Sequence, residues 1–227
     1  MAQLGGTVQP IAYVRAPAGL YLARVQEKAL VSETPIQPAS QMLPTQIEQT
    51  ETAFGTAMTL IAYQAATFGF GGIVRDFVTR FLPEFSRLDI LPDKRVNTSL
   101  SGEASIAIAE LRSIVAPNLD WTPHPVTTQL AQILRRIDSL PEGRKAVLDP
   151  TLCRAVTQAS TDFLWLRDER GVQFDEVDYA DFNRKALDGF TATSLRLRDI
   201  LATDPARYDR LLMMALAETL GHGHRAK

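Results

Sequence analysis

Cysteine is almost absent from this sequence: Cys153 is the only one in 227 residues. No intramolecular disulfide can form, and no cysteine-rich metal site exists. The run around Cys153 predicts a helix, where a lone cysteine reads as a small core residue. Histidine is nearly as scarce, with three residues. His124 stands between Pro123 and Pro125 and reads as a surface or packing residue rather than a catalytic base. His222 and His224 lie in the C-terminal tail, where two ligands make only a weak, adventitious metal site. An excess of either charge is missing too: the formal net charge is −2. That leaves no broad basic field for a nucleic-acid backbone or an anionic membrane, though a local basic pocket for one small anion remains open. No stretch approaches the roughly 18 uninterrupted apolar residues of a membrane-spanning helix. The first residues show no basic stretch followed by an apolar run, so no signal peptide is expected and a cytoplasmic location is.

Hydrophobic residues make up 45% and charged residues 22%, ordinary values for a globular chain with a real core. Val8 to Val14 (VQPIAYV) is rich in β-branched and aromatic side chains and predicts a short buried strand, which Pro10 delays or pushes to an edge. Arg15 closes it, and Pro17 suits the first turn of a helix running to about Val31. Ser32 to Pro44 predicts a loop. A second helix is expected from about Thr45 to Phe54, ending at Gly55, and a second strand over Ala57 to Tyr63 (AMTLIAY). Phe68 to Gly72 (FGFGG) reads as a joint before a helix over Ile73 to Leu82.

The second half reads as entirely helical. Ser99 or Ser101 is suited to cap a helix carrying Ala104, Ile108, Leu111 and Val115. Further helices are expected around Leu130 to Ile137, over Leu152 to Leu166 and on to Gly171, and around Tyr208 to Leu216. The order strand–helix–helix–strand–helix, then helices, predicts an α/β protein with a mostly helical C-terminal half. The expected division is an α/β core over residues 1–90 with a helical part over 91–227 packing on it as one domain.

Three stretches, in order, resemble a bacterial group of sulfotransferase-like proteins: IAYVRAPAGLYLARVQEK (11–28), ETAFGTAMTLIAYQAATFGFGGIVRDFVTRF (51–81) and RVNTSLSGEASIAIAELR (95–112). A weaker fourth is DFLWLRDERGVQF (162–174). The resemblance spans about three quarters of the chain and covers the C-terminal part of the group's pattern. It implies a partial P-loop-type parallel sheet of few strands. It also implies 3′-phosphoadenosine-5′-phosphosulfate as the nucleotide ligand, with Arg15 and the helix after it holding the 3′-phosphate. Gly143-Arg144-Lys145 resembles the basic, glycine-containing loop that many sulfotransferases close over the same phosphate, which adds Arg144 and Lys145 as cofactor-binding candidates.

Physical chemistry supports Arg15 independently of the resemblance. An arginine at the C-terminal end of an inner strand lies at the edge where α/β sheets bind ligands. Its planar guanidinium suits a phosphate, and the helix start near Pro17 would add partial positive charge. A salt bridge from Arg15 to a nearby acid is the other reading, and both stay open here.

Two departures bear on function. The group places a serine eight residues after the arginine as a second phosphate contact; this chain has Ala23, which has no hydroxyl. No G-x-x-x-x-G-K-[ST] occurs anywhere in the chain, and FGFGG carries no lysine. The catalytic residues are therefore unassigned, and the expectation is a truncated or degenerate sulfotransferase-like chain that is inactive alone. The alternative is a non-catalytic binding or assembly module, a homo-oligomer or a chain whose partner covers an open sheet edge. The acidic run DERGVQFDEVDYADF (168–182) lacks the alternating oxygen-ligand pattern of a calcium loop and reads as a solvated connector.

Overall fold

The structure, a computed structural model, describes residues 8–32, 43–64, 68, 72–86, 99–115, 124–138, 145–183, 185–188 and 196–223. Strand β1 (Ile11–Arg15) pairs in parallel with β2 (Thr59–Tyr63), so that Arg15 lies opposite Tyr63 at the shared C-terminal end. A parallel pair cannot be joined by a tight turn. Helices α1 (Pro17–Ala29) and α2 (Leu43–Phe54) occur in the intervening chain, and α3 (Gly72–Phe81) follows β2. A 3-10 turn, Pro83–Phe85, comes next. The expected element order of the first half and the mixed α/β class are thus observed, with a parallel sheet of two strands.

The second half contains α4 (Gly102–Val115), α5 (Pro125–Asp138), β3 (Val147–Leu148), α6 (Pro150–Ala159), α7 (Asp162–Arg170), α8 (Leu197–Ile200), β4 (Leu201–Ala202) and α9 (Pro205–Gly223). It is mostly but not entirely helical, because β3 and β4 pair antiparallel through two residues each. The single helix expected over Leu152 to Gly171 is two helices. Asp149 caps the first, its carboxylate accepting the N–H groups of Thr151 and Leu152. Ser160 ends it at φ −81°, ψ 61°, with its hydroxyl donating back to the Val156 carbonyl at 2.6 Å. Such back-bonding competes with the helical ladder, so one apolar stripe runs across a break.

The chain folds as two compact units that alternate along the sequence. One comprises Met1–Ala16, Gln41–Asn97 and Thr161–Ala180; the other comprises Pro17–Ser40, Thr98–Ser160 and Asp181–Lys227. In the first, Phe163 and Leu166 of α7 are fully buried, and Phe163 packs on Phe174 with ring centres 5.5 Å apart. Tyr13 and Tyr63, one from each strand, both meet Phe68 edge-on, at 5.8 and 5.2 Å. Edge-to-face contacts of this kind add about 0.5–1.5 kcal/mol beyond area burial.

In the second unit, α4 is buried along most of its length and is the element around which the others pack. Leu100, Ala104, Ala107 and Ile108 meet Leu130, Ala131, Leu134 and Ile137 of α5 and Leu211 and Ala215 of α9. On its other side, Ile106 joins Tyr21 and Val25 of α1, Leu152 and Val156 of α6, and Ile200 and Leu201. Full burial of each leucine, isoleucine or valine among them contributes about 1.5–3 kcal/mol. Ser101 caps α4, its hydroxyl accepting the Ala104 N–H at 3.1 Å. Gly102 lets α4 start hard against β4: a Cβ there would lie 3.1 Å from Thr203 Cγ2 and 3.3 Å from the Ala202 carbonyl oxygen.

Candidate functional site

Arg15 is exposed at the C-terminal end of β1, with its guanidinium carbon 4.9 Å from the centre of the Tyr63 ring. The parallel register sets this contact, since position 15 lies opposite position 63. Among the described residues no carboxylate is within ion-pair distance of Arg15. The salt-bridge reading is therefore not realised there. Instead the cation lies against an aromatic ring, which leaves its N–H donors free for an anion.

Beneath that end of the sheet, Tyr13 donates its hydroxyl hydrogen to Asp76 Oδ2 at 2.7 Å, and Asp76 pairs with Arg80 one turn along α3. Burial, reinforced by the Asp76 hydrogen bond and charge, pushes the Tyr13 phenol up to about 12. The Asp76 carboxyl lies below its usual range, because the bonds from Tyr13 and Arg80 outweigh the desolvation that would raise it. Tyr13 is thus a fixed donor to a carboxylate and is not poised as an acid or base near neutral pH.

The other candidates are placed differently. Lys145 is exposed just before β3, and Arg144 lies outside the described residues. Lys145 belongs to the unit that does not contain Arg15. Ala23 is half-buried on α1 and offers no side-chain donor. His124 sits at the start of α5, where its Nδ1 accepts the Val126 N–H at 3.3 Å and its carbonyl accepts the Thr127 hydroxyl at 2.8 Å. These are end-of-helix contacts, in keeping with a packing role. Cys153 is partly buried against the α1–α6 core, and burial raises its thiol above the ordinary value, as in an inert cysteine. The side chains of His222 and His224 lie outside the described residues. Among the described residues no three His, Cys, Asp or Glu side chains come together to hold a metal ion, and no helix is long and apolar enough to cross a membrane.

A buried polar network of the second unit carried no signal in the sequence. Arg207 of α9 pairs with Asp138 at the end of α5 and lies 3.7 Å from Glu103 of α4. Asp138 also accepts the Ser101 N–H at 2.7 Å, and Glu103 accepts the Asp204 N–H at 2.9 Å. These residues come from distant points of the chain with no shared spacing, so only the folded unit reveals the group. Every carboxylate in it has a structural partner, which makes it a clasp for three helix ends.

The donor set at Arg15 fits one end of 3′-phosphoadenosine-5′-phosphosulfate. A guanidinium without a carboxylate partner among the described residues suits a phosphate, whereas the sequence holds no G-x-x-x-x-G-K-[ST] loop for the sulfonate end. No family model, no curated protein and no solved structure matches the chain.

Proposed function

We propose that this chain is a sulfotransferase-like protein with a P-loop-type arrangement of its parallel strands, and that it binds the 3′-phosphate of an adenosine nucleotide through Arg15. The observation that carries this reading is an exposed guanidinium at the C-terminal end of a parallel strand, held against Tyr63 with no carboxylate among the described residues to neutralise it. That is the edge at which parallel α/β sheets bind ligands, and the guanidinium matches a phosphate in shape and charge. Arg144 and Lys145 are further candidate phosphate contacts through the basic loop they form in sequence.

Sulfuryl transfer needs donors on the sulfonate and the bridging oxygen, and a base for the acceptor hydroxyl. No residue is assigned to either task, and the proposed role of the chain by itself is binding rather than transfer. Titration calorimetry with adenosine 3′,5′-bisphosphate tests this. Saturable binding by the wild type, weakened in Arg15→Ala, supports the reading, and equal heats from both proteins reject it.

A second reading is an assembly module, and one observation favours it. In the first unit, β1 and β2 each keep an unpaired outer edge among the described residues, while Phe54, Val74 and Phe85 are about half exposed. Open strand edges and exposed apolar side chains are each features that proteins cover with another chain. Light scattering decides it: a monomer at all concentrations rejects self-assembly.

A further inference from the structure

Arg15 makes no side-chain hydrogen bond and no ion pair among the described residues, and the Tyr63 ring is the group its guanidinium meets, 4.9 Å from the ring centre. An exposed arginine otherwise keeps most of its rotamer freedom, and binding an anion must remove that freedom. A contact that fixes the guanidinium before the anion arrives therefore raises affinity without touching the ligand. What Tyr63 does for Arg15 depends on how firmly the ring itself is held.

Side chains alternate between the two faces of a strand, so Tyr13 and Arg15 share one face of the sheet. The parallel register sets Ile61 opposite Tyr13 and Tyr63 opposite Arg15. Phe68 is 9% exposed and meets both tyrosine rings edge-on, Tyr63 at 5.2 Å and Tyr13 at 5.8 Å. Tyr13 is itself fixed by its hydrogen bond to Asp76 of α3 at 2.7 Å. A line of contacts thus runs from α3 through Asp76, Tyr13 and Phe68 to Tyr63, and Arg15 lies at its end. All five residues belong to one compact unit. The Tyr63 hydroxyl makes no hydrogen bond among the described residues, so what Tyr63 offers is its ring. Asp76, the carboxylate of this line, is already taken by Tyr13 and by Arg80, which donates to Oδ1 at 2.9 Å.

We propose that Tyr63 is a positioning residue for Arg15: its ring holds the guanidinium at the sheet edge, so that the anion meets a fork already in place. The role rests on the proposed binding of a phosphate at Arg15. Attraction to the face of an aromatic ring uses the positive charge of the guanidinium and consumes none of its five N–H donors. The held group can therefore still engage two oxygens of a phosphate monoester or a sulfate.

The test compares the full-length wild type with Tyr63→Leu and Tyr63→Phe in two measurements. The first is nuclear magnetic resonance of the free protein, following the side-chain Nε–H signal of Arg15, which is identified by its absence in Arg15→Ala. A guanidinium over a ring face is shielded by the ring current, so the wild-type signal should lie upfield of a solvated arginine. Tyr63→Leu should move it to the solvated position, and Tyr63→Phe, which keeps the ring, should restore it upfield. A wild-type signal at the solvated position, or one unmoved in Tyr63→Leu, overturns the proposal. The second measurement is titration calorimetry with adenosine 3′,5′-bisphosphate. Tyr63→Leu should bind about two- to fivefold more weakly than the wild type, the scale of one exposed cation–ring contact, and Tyr63→Phe should recover most of that loss. A Tyr63→Phe as weak as Tyr63→Leu would assign the effect to the hydroxyl and overturn the positioning role. Equal affinities in wild type and Tyr63→Leu overturn it too, and leave phosphate binding by Arg15 standing. Absence of binding by the wild type rejects the proposed function instead, while the signal of the free protein still decides whether Tyr63 holds Arg15.

Discussion

Arg170 and Glu51 meet as two parallel forks, Nη1 donating to Oε1 at 2.9 Å and Nη2 to Oε2 at 2.7 Å. The pair joins α7 to the end of α2, and the Met58 N–H adds a third bond to Oε1 at 2.8 Å. The Arg170 guanidinium also lies over the Trp165 ring, 5.0 Å from its centre. The Arg170 bonds first, and the Met58 N–H second, hold the Glu51 carboxyl below its ordinary 4.5. A depressed folded value means the stabilisation is present in full above the ordinary value and is lost as the pH falls through the folded one. Glu51→Gln should therefore lower the thermal midpoint at neutral pH, and the gap from wild type should close as the pH drops below 4.5. A gap that stays constant on acidification would contradict this account.

The clasp of the second unit should respond very differently to single and double changes. Asp138→Ala leaves Arg207 buried beside Glu103 alone and removes the acceptor of the Ser101 N–H, a loss of about 3–5 kcal/mol. Adding Arg207→Met removes the stranded charge, so the double variant should lose clearly less than the sum of the singles. Urea unfolding of the four proteins gives the coupling, and additive losses would show that the pair does not act as a unit.

Two glycines are needed for opposite reasons, and their alanine variants separate them. Gly171 ends α7 at φ 66°, and a Cβ there would meet nothing within 4 Å. Gly171→Ala should cost about 1–2 kcal/mol from backbone conformation alone. A Cβ on Gly102 would lie within 3.3 Å of Thr203 and Ala202, so Gly102→Ala should cost about 1–3 kcal/mol through overpacking. Thr203→Ala should recover part of the loss at Gly102 and none of the loss at Gly171.

Tyr13, Tyr21 and Tyr208 have phenols pushed up to about 12, in each case chiefly by burial. A raised folded value means that stability is complete below the ordinary 10 and is lost as the pH climbs toward 12. Alkaline titration followed by tyrosinate absorbance should show ionisation of these groups together with unfolding. Tyr208→Phe should remove amplitude near pH 12 and leave the rest of the titration unchanged. Loss of amplitude near 10 would place Tyr208 in a solvated setting and contradict its bond to Glu110.

The first half of the fold was largely legible because each element carries a local signal. Pro10 delays β1 to Ile11, Pro17 opens α1, and β2 ends at Tyr63 as expected. The break at Ser160 was hidden because the apolar stripe of α6 continues in α7, and the stop depends on a side-chain bond to the helix backbone. The strands β3 and β4 escaped notice because two residues give no alternation to read. Arg15 was visible from its place at a strand end, whereas its contact with Tyr63 required the parallel register. Arg112 is the clearest case of what one sequence cannot express. On α4 it is one more charged residue near a helix end, and only the folded unit shows it buried, with Nη1 and Nη2 unpartnered among the described residues.

The central claim is that Arg15 receives the 3′-phosphate of an adenosine nucleotide, and titration calorimetry of adenosine 3′,5′-bisphosphate tests it most directly. The account predicts saturable one-to-one binding by the wild type. It also predicts a loss of roughly 10- to 100-fold in Arg15→Ala, the scale of one charge-assisted hydrogen-bonded contact. Undiminished affinity in Arg15→Ala, or no binding by the wild type, would contradict it.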